Sequence, residues 1–215
     1  MTDVLARLHA LADPSRAAGM ARVGIGGGTA IGVTVAELRA LAEELGRSHV
    51  LAAGLWESGV HEARILATLV EERDRVDAAQ LDRWVADLDA WDLCDQFCQN
   101  LVRHTPFAWG KALEWSGRAE PFVKRAGFAT MAGLAVSDKR ADDERFAPFL
   151  QAVAERADDD RPIVRKGASW ALRQIGKRNP ALREQAVAVA AQLRDGGPGA
   201  RWVGGDALRE LRRPQ

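Results

Sequence analysis

Apolar positions along this chain recur every three to four residues, the period of an amphipathic helix. Residues 35–45 (VAELRALAEEL) put Val35, Leu38, Leu41, Ala42 and Leu45 on one stripe. The same pattern predicts helices over 60–71, 78–89, 91–102, 106–115, 121–136, 143–156, 161–177 and 180–194. No segment carries the alternating Val, Ile and Thr of a half-buried strand. The breaks are short: Ser58-Gly59, Thr105-Pro106, Ala157 to Asp160, Asn179-Pro180 and Gly196 to Gly199. Short breaks make successive helices antiparallel neighbours, so the expected fold class is all-α.

A longer period lies over the helical one. Val123-Lys124-Arg125-Ala126-Gly127 aligns with Val164-Arg165-Lys166-Gly167-Ala168, 41 residues later. Ala171-Leu172-Arg173 recurs as Ala207-Leu208-Arg209, 36 residues later. Helix pairs at periods near ~40 residues characterise HEAT and armadillo arrays, which stack into curved solenoids with a concave face. Small and basic residues on two helices also align by chance. The expected organisation is one repeat domain over 1–215, with a helix and a Gly-rich connection in 1–30.

Composition narrows the class. The 215 residues are 47% hydrophobic and 28% charged, as in a folded globular protein. Cys94 and Cys98 are the only cysteines, too few for a disulfide framework. No apolar run spans a bilayer, and Asp3, Arg7 and Asp13 interrupt what would be a secretory core, so a cytoplasmic protein is expected. Thirty basic and thirty acidic residues cancel, but unevenly. Residues 161–215 hold 12 Lys and Arg against four Asp and Glu, which leaves 18 against 26 in residues 1–160. Arg161, Arg165, Lys166, Arg173, Lys177 and Arg178 therefore form either a footprint for phosphates or a solvated helix face.

Candidate chemistry is sparse. Gly24, Gly26, Gly27 and Gly28 lack the Lys-Ser/Thr of a phosphate loop and read as a flexible connection into the helix at 35. Cys94, Cys98 and His104 make a poor metal set without a fourth ligand, and the cysteines read as core. No metal or cofactor is expected. His61 has no second histidine at metalloprotease spacing, and no serine stands in a nucleophile elbow. Trp91-Asp92-Leu93-Cys94-Asp95 is different: Trp91 and Asp95, four apart, share one helix face. An indole beside a carboxylate stabilises a cation. From the residues alone, a helix with an acidic start and a buried Trp fits as well.

The runs WVADLDAWDLCDQFCQNL, TPFAWGKALEWS, FVKRAGFATMAGLAV, DDERFAPFL and VRKGASWALRQIGKRNP resemble, in order, the DNA alkylation repair family of HEAT-like-repeat glycosylases (the AlkD type). The resemblance runs from about Ile31 to the C-terminus. It implies a right-handed superhelical solenoid of HEAT-like antiparallel helix pairs that cradles double-stranded DNA. The implied activity is excision of cationic N3- or N7-alkylated purines, as in base excision repair, without flipping the lesion into a pocket. The family's catalytic aspartate falls on Asp95, and its tryptophans on Trp91 and Trp170. Its DNA-backbone arginine falls on Arg125, beside Lys124, and Arg165, Lys166, Arg173, Lys177 and Arg178 are the further expected DNA contacts. Some members set a tyrosine near the N-terminal helices against DNA, and this chain has none. The alternatives are a non-catalytic module binding damaged or distorted DNA, or a protein-interaction solenoid with core tryptophans. A monomer without an obligate protein partner, nucleoid-associated when acting, is expected.

Overall fold

A computed structural model describes residues 2–26 and 28–213, and within them every regular element is helical. The chain divides into two compact units, 1–105 and 106–215.

The first unit holds α1 (Thr2–Ala10), α2 (Pro14–Arg22), α3 (Val35–Leu45), α4 (His49–Glu57), α5 (His61–Val70), α6 (Ala78–Ala86) and α7 (Trp91–Asn100). Helix α3 starts where Thr34 and Glu37 close a capping box, the Thr34 side chain accepting from Glu37 N while Glu37 accepts from Thr34 N. Ser48 and Asp77 cap α4 and α6 in the same side-chain-to-backbone manner. Helix α5 is the centre of this unit, packing on α3, α4 and α7. Eight of its ten residues are buried, which the one-sided stripe of a surface helix does not require. Cys94 and Cys98 are fully buried on α7, in line with the core reading. Trp56 and Trp84 stack with centroids 4.1 Å apart, and the Trp56 indole N–H donates to Asp87 at 2.9 Å.

The second unit holds α8 (Ala108–Ser116), α9 (Pro121–Ser137), α10 (Ala147–Arg156), α11 (Pro162–Gly176), α12 (Pro180–Leu193) and α13 (Pro198–Leu211). Helices α9, α11 and α13 pack in series, and α8, α10 and α12 form a second layer over them. Each inner helix begins on a proline at its first position: Pro121, Pro162 and Pro198. Proline has no N–H to lose there and its φ is already helical. These starts are 41 and 36 residues apart, the two spacings in the sequence. Close approach within a pair depends on glycine: a Cβ on Gly127 of α9 would sit 2.3 Å from the Ser116 nitrogen of α8. Trp109 lies flat on Phe149 at 4.8 Å, and Trp115 is fully buried, so both serve packing.

Helices α2, α4 and α13 were not among the predicted segments, so residues 1–30 hold two helices, α1 and α2, where one was expected. In α4 (HVLAAGLWE) apolar residues run almost all round, so no stripe stands out. In α13, Gly199, Gly204 and Gly205 dilute the pattern, although Gly199 and Gly204 are buried. The segment 143–156 is a short 3-10 turn at Asp143–Phe146 followed by α10.

Candidate functional site

The first unit carries a groove of about 690 Å3 between the start of α7 and the α2–α3 connection. Trp91, Asp92, Asp95 and Gln96 supply one wall, and Met20, Val23, Ile25 and Val33 supply much of the other. Trp91 is 37% exposed, whereas Trp56, Trp84 and Trp115 are buried. Its indole N–H donates to the Val23 carbonyl at 3.3 Å, which leaves the ring at the groove edge. Asp95 is half-buried one turn further on, so the predicted Trp91–Asp95 face exists and lines a concavity.

Two buried acidic contacts shape this groove. Asp92 Oδ2 lies 2.8 Å from Nε2 of His61, whose side chain is fully buried at the start of α5. No hydrogen-bond partner meets the other ring nitrogen of His61 or Asp92 Oδ1, both buried. A proton on Nδ1 would be a buried donor without an acceptor, so the tautomer that fits carries its proton on Nε2 and donates to Asp92. Glu62, the next residue, is also fully buried and accepts from three successive backbone N–H groups. These are Ile31 (2.9 Å), Gly32 (2.7 Å) and Val33 (3.3 Å). Gly32 adopts φ +87°, and a Cβ there would meet the Asp13 carbonyl oxygen at 2.1 Å. Only glycine fits that turn. The connection therefore ends in a clamped segment on the groove wall, while Gly27 of the predicted flexible run lies outside the described residues.

At the rim, Arg16 pairs with Asp13 and Glu37, each at 2.9 Å. Hydrogen bonds from Thr34, then the bond from Arg16, hold the Glu37 carboxyl at about 2. Neither His61 nor the connection stood out as a site element in the sequence. The His-Glu pair that opens α5 was the available signal, read there only for metal binding.

In the second unit, Trp170 is half-buried on α11 and Lys166 is exposed on the same helix. The Arg165 guanidinium lies 4.8 Å over the Trp202 ring. The other expected phosphate contacts carry structural bonds. Lys124 pairs with Asp159 at 3.0 Å, and Arg161 shares that carboxylate. Arg173 and Lys177 both pair with Glu210 of α13. Arg178 donates to the carbonyls of Ala135, Asp138 and Ala141 and covers the Phe146 ring, tying the end of α11 to that of α9. Arg125 is 7% exposed and donates to the Ile163 carbonyl at 2.7 Å.

Among the described residues no group of three His, Cys, Asp or Glu side chains is placed to hold a metal ion. No described helix is long and apolar enough to cross a membrane.

A comparison with curated proteins gives no match. One solved structure matches 98% of this chain and 94% of its own at a TM-score of 0.80 and 17% identity. It is described as "a new family of proteins related to the HEAT-like repeat DNA glycosylases with affinity for branched DNA structures". At that identity the likeness establishes the fold, a HEAT-like-repeat α structure. A family profile for DNA alkylation repair enzymes matches residues 4–210, nearly the whole chain, and the protein accordingly belongs to the DNA alkylation repair enzyme family.

Proposed function

We propose that this protein is a DNA glycosylase that releases cationic N3- or N7-alkylpurines from duplex DNA. The observation that carries the reading is the sharing of one open groove by the Trp91 indole and the Asp95 carboxylate. An alkylated purine bears its positive charge before the reaction, so it departs without a strong general acid. The C1′–N bond breaks, its electron pair neutralises the base, and oxocarbenium character develops on the deoxyribose. Asp95 stabilises that charge and takes a proton from the water that attacks C1′, leaving an abasic sugar and a neutral base. Trp91 offers a ring face to the sugar and the cationic base, and Trp170 is assigned the same role. Neutral bases gain little from either group, which gives selectivity for charged lesions. The lesion is engaged through its sugar rather than swung into a closed pocket.

In this reading Lys166 and Arg165 are the cations of α11 that meet backbone phosphates. Lys124, Arg173 and Lys177 must give up carboxylates to do so, and Arg125 and Arg178 must give up carbonyls. The test is release of N7-methylguanine from a defined duplex under single-turnover conditions. Wild-type protein releases the base, and Asp95→Asn lowers the rate by about 100-fold or more. The second reading, a non-catalytic binder of branched DNA, draws support from the description of the similar solved structure. It stands if wild-type protein releases no base yet binds a DNA junction in a salt-dependent way.

A further inference from the structure

The far end of α7 carries a group of cations for which the groove chemistry has no use. Three separate segments supply it. Arg47, just before α4, donates to the Glu71 carbonyl at 2.6 Å. Arg73, two residues beyond Glu71, donates to the carbonyl of Asn100, the last residue of α7, at 3.3 Å. Arg103 follows, its Nε donating to Nε2 of His104 at 3.2 Å and its Nη1 to the Gln99 side chain at 3.3 Å.

No carboxylate neutralises this group among the described residues. The Glu71 carboxylate is taken by His49 and Gln80, at 2.8 and 2.7 Å. That of Glu72 accepts from His49 N at 3.0 Å and faces Arg75 at 3.8 Å. The Nε of Arg73 is buried without a partner. Burial, then Arg47 and Arg103, lower the Arg73 pKa. His104 responds to the same charges: partial desolvation, then Arg73, Arg103 and Arg47, bring it to about 4 against the opposing pull of the Gln99 carbonyl. Two helix C-termini meet these cations, α5 through the Glu71 carbonyl and α7 through that of Asn100, and each gains from one. Arg103 is a third, the three charges repel one another, and an anion would relieve them. Guanidinium forks match the oxygens of phosphate.

We propose that Arg47, Arg73 and Arg103 form a phosphate-binding site at the C-terminal end of α7, and that its occupant is a backbone phosphodiester of duplex DNA. The site is open at the surface, with Arg47 and His104 exposed, which suits a phosphate carried on a polymer. Nine residues separate Trp91 from Asn100, about 14 Å along the helix, or roughly four base-pair steps of a duplex engaged at the groove. The choice of DNA as the source of the phosphate rests on the function proposed above; the charge cluster does not.

The His104 ring signal reports on the site. Its resonance, identified by its loss in His104→Gln, is followed from pH 7.5 to 3.5 at constant ionic strength. The titration is run alone, with inorganic phosphate, and with an unmodified 16-base-pair duplex. Duplex is expected to raise the His104 pKa by a unit or more, because a bound anion offsets the arginine charges. In Arg73→Gln and Arg103→Gln this rise shrinks, and the log–log salt slope of duplex binding falls by about one per arginine. A shift with inorganic phosphate but none with duplex overturns the DNA assignment. No shift with either overturns the site. Single-turnover N7-methylguanine release at saturating protein keeps the two readings apart. Wild-type protein without release fails the glycosylase reading alone, because the His104 shift and the salt slope are read with unmodified duplex.

Discussion

His61 Nε2 stands 2.8 Å from Asp92 Oδ2, and this contact joins the start of α5 to the start of α7 directly behind the groove. Asp92 therefore has a fixed donor and adds a second negative group three residues before Asp95. His61→Ala is expected to strand a largely buried carboxylate and destabilise the fold by about 1–3 kcal/mol. Asp92→Asn keeps an oxygen acceptor for the Nε2 proton and should cost less. Denaturant midpoints of the two variants, compared at pH 7, check the order. Equal losses would mean that an amide oxygen does not replace the carboxylate as the acceptor for His61.

Glu62 should matter as much, by a different route. Its carboxylate satisfies three backbone donors that would otherwise be buried without partners. Glu62→Gln leaves one acceptor oxygen and adds an amide with no acceptor to meet, so a loss of about 1.5–3 kcal/mol is expected. Faster amide exchange at Ile31, Gly32 and Val33 should accompany it.

Trp91 separates packing from chemistry. With its ring at the groove edge, Trp91→Phe should leave the melting temperature nearly unchanged. It should slow release of a cationic base by about 2- to 5-fold, because a phenyl face attracts a cation less strongly than an indole. Trp84→Phe breaks the buried stack with Trp56 and should lower stability instead.

The two layers of the second unit depend on Gly127. Alanine at this position favours a helix by ~1 kcal/mol, but its Cβ would stand 2.3 Å from the Ser116 nitrogen. Gly127→Ala should therefore destabilise by about 1–3 kcal/mol. Gly110 of α8 has open space where a Cβ would go, so Gly110→Ala should stabilise by about 0.5–1 kcal/mol.

Acid stability should carry a signature of Glu37. Its carboxyl sits near 2 in the folded protein against 4.5 ordinarily. The folded state thus holds its proton less tightly than the unfolded state. The stabilisation is complete above about pH 4.5 and is lost as pH falls toward 2. Glu37→Gln should flatten that part of the stability–pH curve, read by urea unfolding between pH 6 and 3.

The local features of this protein were legible in its sequence. The 3.6-residue period placed α3, α5, α7, α9, α11 and α12, because burying one helix face leaves its mark within a few turns. The 41- and 36-residue spacings marked helices that begin on Pro121, Pro162 and Pro198, and the four-residue spacing of Trp91 and Asp95 sufficed to put them on one face. Tertiary structure decided what those local features could not contain. The cationic run in 161–178 is largely answered from elsewhere: Glu210 of α13 meets Arg173 and Lys177, and three carbonyls meet Arg178. Conversely, Arg47, Arg73 and Arg103 lie in no run at all and form a charge cluster only when α4, α5 and α7 pack. His61 meets Asp92 across 31 residues of chain for the same reason. A helix period records which face of a segment is buried, whereas ion pairs depend on which faces meet, and the fold alone fixes that.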